Sequence, residues 1–215
     1  MRFQIFFTYI CPMKKESLYI NRILQAADQL YRKHGFRAVS MDDLAKEIGM
    51  SKKTIYKYFS SKNKLVEALV MEHTEKQRQE ISAIVEKNND PIKTMVEIGQ
   101  LVSTYYTEMS PDIILELKKY FFEIWQQVDK MQTEQMLLGI TKNLIAGVKL
   151  GLYRKEIDPE FIAKVYVNSV ISACDNDDQI TGKALYYMML LQYHLQGVMT
   201  EKGRRLFEKY KASFI

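Results

Sequence analysis

The chain has 215 residues, 47% of them hydrophobic and 27% charged, with a net charge of +5 at neutral pH. That is enough for one medium or two small globular units with ample core, and it excludes a disordered chain. No apolar run approaches the roughly 18–20 uncharged residues of a membrane span. Nine Gly, four Pro and no long apolar/polar alternation point to an all-α fold. The charge is unevenly spread: residues 1–66 carry 13 Lys/Arg against 5 Asp/Glu, and the remainder 18 against 21. Concentrated positive charge in one small unit is the electrostatic footprint of a nucleic-acid-binding module joined to something else.

In chain order, residues 1–13 are unusually apolar but lack a signal peptide's longer apolar region and cleavage site. Either this extension, taken as 1–16, packs on the body, or translation starts at Met13. From Glu16 to His34 a helix carries Ile20, Ile23, Leu24, Ala27, Leu30 and Tyr31 on one face, and Gly35 ends it. Ser40 and Asp43 then form a capping-box-like start to a short helix whose apolar face is Leu44, Ala45 and Ile48. Gly49 supplies the reversal, Ser51 caps a second short helix, and Ile55 and Phe59 point back at the first. A small Ala45 allows the close crossing of a helix-turn-helix over residues 40–59. The outward face of the second helix carries cations and hydroxyls and no acids.

Base readout belongs to the early residues of such a helix, here Lys53 and Thr54. Tyr56, Tyr58, Ser40, Lys52, Lys57 and Lys62 suit phosphate contacts, with core packing as the alternative for either tyrosine. Ser60-Ser61 breaks the helix, and the next runs from Lys62 to about Lys87, a rod of roughly 40 Å. Asn88-Asn89-Asp90 ends it. Asp90-Pro91, Ser110-Pro111 and Asp158-Pro159 each place a capping side chain before a proline at a helix start. The helices expected beyond are about 91–108, 111–129, 131–153, 159–174, 180–199 and 201–213.

At this point ILQAADQLYRKHGF followed by VSMDDLAKEIGMSKKTIYKYFSSKNKLVEAL resembles the amino-terminal domain of TetR/AcrR-type bacterial transcriptional regulators. The resemblance covers residues 17–77 without gaps, and GLYRKEIDPEFIA (151–163) resembles more weakly a joint in the bodies of such proteins. Tyr31, Lys57 and Tyr58 depart slightly from the family pattern, which bears on which operator is read. The resemblance implies a three-helix DNA-binding head with a helix-turn-helix, a larger helical regulatory and dimerisation body over 78–215, and a cytoplasmic homodimer. It further implies a repressor released from a palindromic double-stranded DNA operator by a small-molecule effector, with no cofactor. Control by a protein partner, or by no ligand, is one alternative; a helical enzyme or ligand carrier is another.

In the body, aromatic and Met side chains can line an apolar pocket, for which Tyr105, Trp125 and Met136 are candidates, although core packing is the better account of any one of them. The last helix pair is apolar on more than one face, so it must be buried on several sides, and Val167, Val170, Ile171, Met188, Leu191 and Leu195 are candidates for a contact with a second copy. Cys11 and Cys174 form no CxxC pair, and His34, His73 and His194 are isolated, so no metal site is expected. The acidic CDNDDQ segment lacks calcium-loop spacing. There is no GxSxG, no phosphate-binding glycine loop and no supported Cys/His pair, hence no catalytic residues.

Overall fold

The structure is a computed structural model and describes residues 5–108, 111–175 and 182–210. Side chains are described within 16–107, 113–173 and 182–210. The expectations for the 1–16 extension, Cys11, Cys174, the Ser110 cap and most of the CDNDDQ segment fall outside those side chains. The described residues form ten helices and no sheet, with a single isolated bridge between Tyr153 and Met199.

The helices are α1 (Ile5–Ala38), α2 (Met41–Ile48), α3 (Lys52–Tyr58), α4 (Lys62–Lys87), α5 (Pro91–Glu108), α6 (Pro111–Tyr120), α7 (Phe122–Lys149), α8 (Pro159–Asp175), α9 (Lys183–Val198) and α10 (Glu201–Phe207). They fall into two compact units. The first comprises the described residues up to Thr74 together with α6 and the start of α7 to Val128; the second comprises the rest.

In the first unit, α1 is broken at Gly35, whose φ of 81° and ψ of 161° are not helical. The expected terminator is therefore in place, but in extended positive-φ backbone rather than the left-handed helical cap. That turn lays Phe36 against Tyr31, with ring centroids 5.1 Å apart. Phe121 packs edge-on to Phe36 at 5.7 Å. The core around them holds Ile23, Ala27, Leu44, Ile55, Leu65 and Val66, each at most 1% exposed. α2 ends in Gly49, left-handed at φ 63°, and the following N–H of Met50 reaches back to the Ala45 carbonyl at 3.0 Å. This is a Schellman-type stop that reverses the chain in two residues.

α7 stops at Lys149 rather than 153 and α10 at Phe207 rather than 213, and a larger difference lies at the start of α7. The sequence suggests a break near Asp129–Met131, yet α7 runs through it, and the chain is interrupted at Phe121 instead. Burial decides this: Phe121 is 8% exposed within the first unit's core, while Phe122 beside it is 56% exposed. Adjacent residues cannot point the same way on a helix, so the bend falls where the one buried ring enters the core.

In the second unit, α9 packs on α5 and α8, and α10 on α5. Leu144, Leu191, Leu195 and Phe207 are wholly buried there. The Tyr153 hydroxyl donates to Asn143 Oδ1 at 3.0 Å, and Asn143 Nδ2 donates to the Pro91 carbonyl at 2.9 Å, fixing the joint after α7 to the start of α5. Among the described residues no helix is long and apolar enough to cross a membrane.

Candidate nucleic-acid interface

The short helices α2 and α3 hold their shape by caps. Ser40 Oγ accepts from the Asp43 N–H at 3.2 Å, while Asp43 Oδ2 accepts from the Ser40 N–H at 2.9 Å and its hydroxyl at 2.6 Å. These bonds hold the Asp43 carboxyl below its usual range. Ser51 Oγ accepts from the Thr54 N–H at 3.1 Å, capping α3. From α1, Arg22 Nη2 donates to the Ile48 carbonyl at 2.6 Å and satisfies the end of α2. Ile55, wholly buried, turns one side of α3 inward and so fixes which side faces out.

On that outer side, Lys53 and Tyr56 are exposed, Tyr56 at 40%. Lys53 has no ion pair among the described residues, so its ammonium is fully available. Thr54 is half-buried at the helix start, its hydroxyl 2.7 Å from Ser51 Oγ. Lys52 is exposed but donates to Asp42 Oδ2 at 2.7 Å, an ion pair that a phosphate would have to displace. Lys57 is exposed, 3.8 Å from Glu16 Oε1 and 5.3 Å above the Tyr58 ring. Tyr58 is half-buried and stacks on Tyr19 with centroids 5.8 Å apart, so its ring is part of the packing. Lys62 is half-buried, donating to the Arg37 carbonyl at 3.4 Å, and burial pulls its pKa down despite Glu116 and Asp43 nearby. Among the exposed lysines of α3, Lys53 has no ion pair among the described residues, Lys57 has a long one and Lys52 a close one.

Two residues that sequence reasoning missed belong to the same head. Glu116 Oε2 accepts the Arg37 N–H at 3.1 Å, and the Tyr120 hydroxyl accepts from Arg37 Nη1 at 3.1 Å, so α6 clamps the corner just before α2. No local signal marks a contact across 79 and 83 residues.

The other nominated residues separate. Trp125 packs against the first unit's core, with Lys118 Nζ 4.8 Å over its ring. Tyr105 and Met136 lie in the second unit, Tyr105 bonded to Glu80 and Met136 packed on the core. The three are thus divided between the two units. On the last helix pair, Val167, Val170, Met188, Leu191 and Leu195 are buried within the chain and Ile171 is half-buried. The five buried side chains are part of the chain's own core, whereas Ile171 keeps partial exposure. The large apolar residues left outside are Phe161 and Val165 on α8 and Leu185, Tyr186, Met189 and Tyr193 on α9, between 37% and 79% exposed.

Residues 23–69 match the profile of the bacterial regulatory proteins of the tetR family. The uncharacterized HTH-type transcriptional regulator YvaF of Bacillus subtilis is 29% identical over 157 residues, spanning 72% of this chain and 80% of that protein. Residues 23–69 therefore carry a DNA-binding domain of the tetR type. Its fold agrees: a TetR transcription regulator from Haloarcula marismortui superposes with a TM-score of 0.71 at 16% identity, covering 86% of this chain and all of the other (100%). A transcriptional regulator from Saccharomonospora viridis does so with a TM-score of 0.64 at 16% identity over 86% and 100%. The relatives and the fold neighbours alike are transcriptional regulators and not enzymes.

Proposed function

We propose that the chain is a cytoplasmic, ligand-responsive repressor that binds a palindromic operator as a homodimer and is released when a small apolar or aromatic molecule occupies its body. Residues 17–77 would form the DNA-binding domain and 78–215 the regulatory and dimerisation domain. The observation that carries the DNA reading is the outer face of α3, where Lys53, Tyr56 and Lys57 stand exposed on a helix locked by its own cap and by Ile55. Lys53 and Thr54 take the base edges; Tyr56, Lys57, Ser40, Lys52 and Lys62 take phosphates, with Lys57 the best placed of the lysines for it.

The effector reading is supported by a polar group stranded inside the second unit. The Tyr166 hydroxyl is buried without a well-formed hydrogen bond, although Tyr187 interacts with it, and burial first and Tyr187 second keep its pKa well above the ordinary value. A buried hydroxyl left poorly paired costs up to about 1–3 kcal/mol, part of which a ligand's acceptor would recover. The Saccharomonospora viridis regulator, of similar fold, was solved in complex with choline. Release then requires only that the effector bind two body conformations unequally, which changes the populations of head spacing across the dimer.

Selection of genomic fragments by the purified protein at physiological salt tests the proposal. An enriched palindrome is expected. Lys53→Ala should then weaken specific binding by about 1–3 kcal/mol, and Lys57→Ala should lower the slope of log affinity against log salt by about 0.9. Enrichment of no fragment would end the repressor reading.

A further inference from the structure

Beside the corner at Gly35, within the first unit, the end of α1 and α6 enclose an open cleft of about 450 Å3 whose lining includes Lys33, Arg37, Lys119, Glu116, Tyr120 and Leu115. That volume is in the range of small-ligand sites. Arg32 also borders it, but its guanidinium is held by Asp28 at 2.9 Å. The remaining charge is three cations against one carboxylate. Glu116 is turned to the inner end of the cleft, where it accepts the Arg37 N–H and lies where a Cβ on Gly35 would stand, 2.9 Å away. Lys33 and Lys119 are exposed and have no ion pair among the described residues. Arg37 and Lys119 flank one ring, their charged ends 5.2 and 5.4 Å from the Tyr120 centroid. Cations gathered from two elements and left uncompensated repel one another until an anion sits between them.

We propose that this cleft binds a small, multiply charged anion, a phosphorylated or polycarboxylate metabolite, through Lys33, Arg37 and Lys119. Operator DNA fits less well. Arg37 is turned onto α6 and bonded to Tyr120 instead of lying with the outer face of α3. The cleft is concave, and Leu115, 46% exposed, gives it an apolar wall that a duplex backbone would not use. Bound there, the anion ties α1 to α6 at the corner that leads into α2, and so bears on the reading head by a route separate from the body.

Calorimetric titration of the full-length protein with pyrophosphate and, separately, citrate tests this, with sodium chloride at matched ionic strength as the screening control. Saturable binding of one probe per chain is expected, with a Kd below about 1 mM. The stronger of the two probes tells phosphate from carboxylate preference. Lys33→Gln/Lys119→Gln should weaken binding by about tenfold or more, while Lys149→Gln, on the exposed end of α7, should not change it. Lys119→Gln alone repeats the measurement should the double variant misfold. Absence of saturation, or equal binding by wild type and both cleft variants, overturns the proposal. So does loss of operator affinity in the double variant when neither probe binds the wild type, since the cleft would then be a DNA contact.

Discussion

At φ 81° and ψ 161°, Gly35 occupies backbone space that side chains rarely enter, and a Cβ there would stand 2.9 Å from the Glu116 carboxylate oxygens. Both constraints act on the same atom. Gly35→Ala should therefore destabilise the protein by about 1–3 kcal/mol, read as a lower midpoint in urea. Truncating Glu116 in the same chain should recover only the steric part, because the positive φ remains. From sequence, the glycine reads as a terminator and nothing more. Its second duty, making room for α6, comes from a residue 81 positions away and leaves no trace in local spacing.

At the scale of elements, α8 and α9 are apolar most of the way round, so the sequence tells that they are buried but not on which side. Packing decides it. α9 turns Tyr187, Met188, Leu191, His194, Leu195 and Val198 inward and leaves Leu185, Met189 and Tyr193 outside. One inward residue is a histidine. His194 is 9% exposed, its ring 4.3 Å from that of Tyr166, and burial lowers its pKa from 6.5 to about 4. The unfolded chain therefore takes up this proton before the folded one does. The stability tied to neutral His194 is complete above pH 6.5 and falls as pH drops toward about 4. His194→Gln should flatten that part of the curve of melting temperature against pH. An unchanged slope would show that the histidine is solvated.

At the scale of the whole molecule, the exposed positions on α8 and α9 repeat every four residues, as Phe161 and Val165 and as Leu185, Met189 and Tyr193. A stripe of large apolar side chains left in water is costly and suits burial against a second copy. Met189→Glu should convert the proposed dimer to monomer in size-exclusion chromatography with light scattering. It should weaken operator binding with it, since two half-sites need two linked heads.

The sequence by itself determined the all-α class, the helix-turn-helix with both serine caps, the full extent of α4 and the TetR resemblance. Each of these rests on residues a few positions apart, where helical period, capping side chains and a glycine's tolerance of positive φ act locally. Only the tertiary structure decided that α6 joins the head, that the chain bends at Phe121, and that Tyr58 is committed to Tyr19. It also decided which apolar face of α8 and α9 stays outside. These follow from competition among distant side chains for a limited interior, and no local pattern records which of them wins.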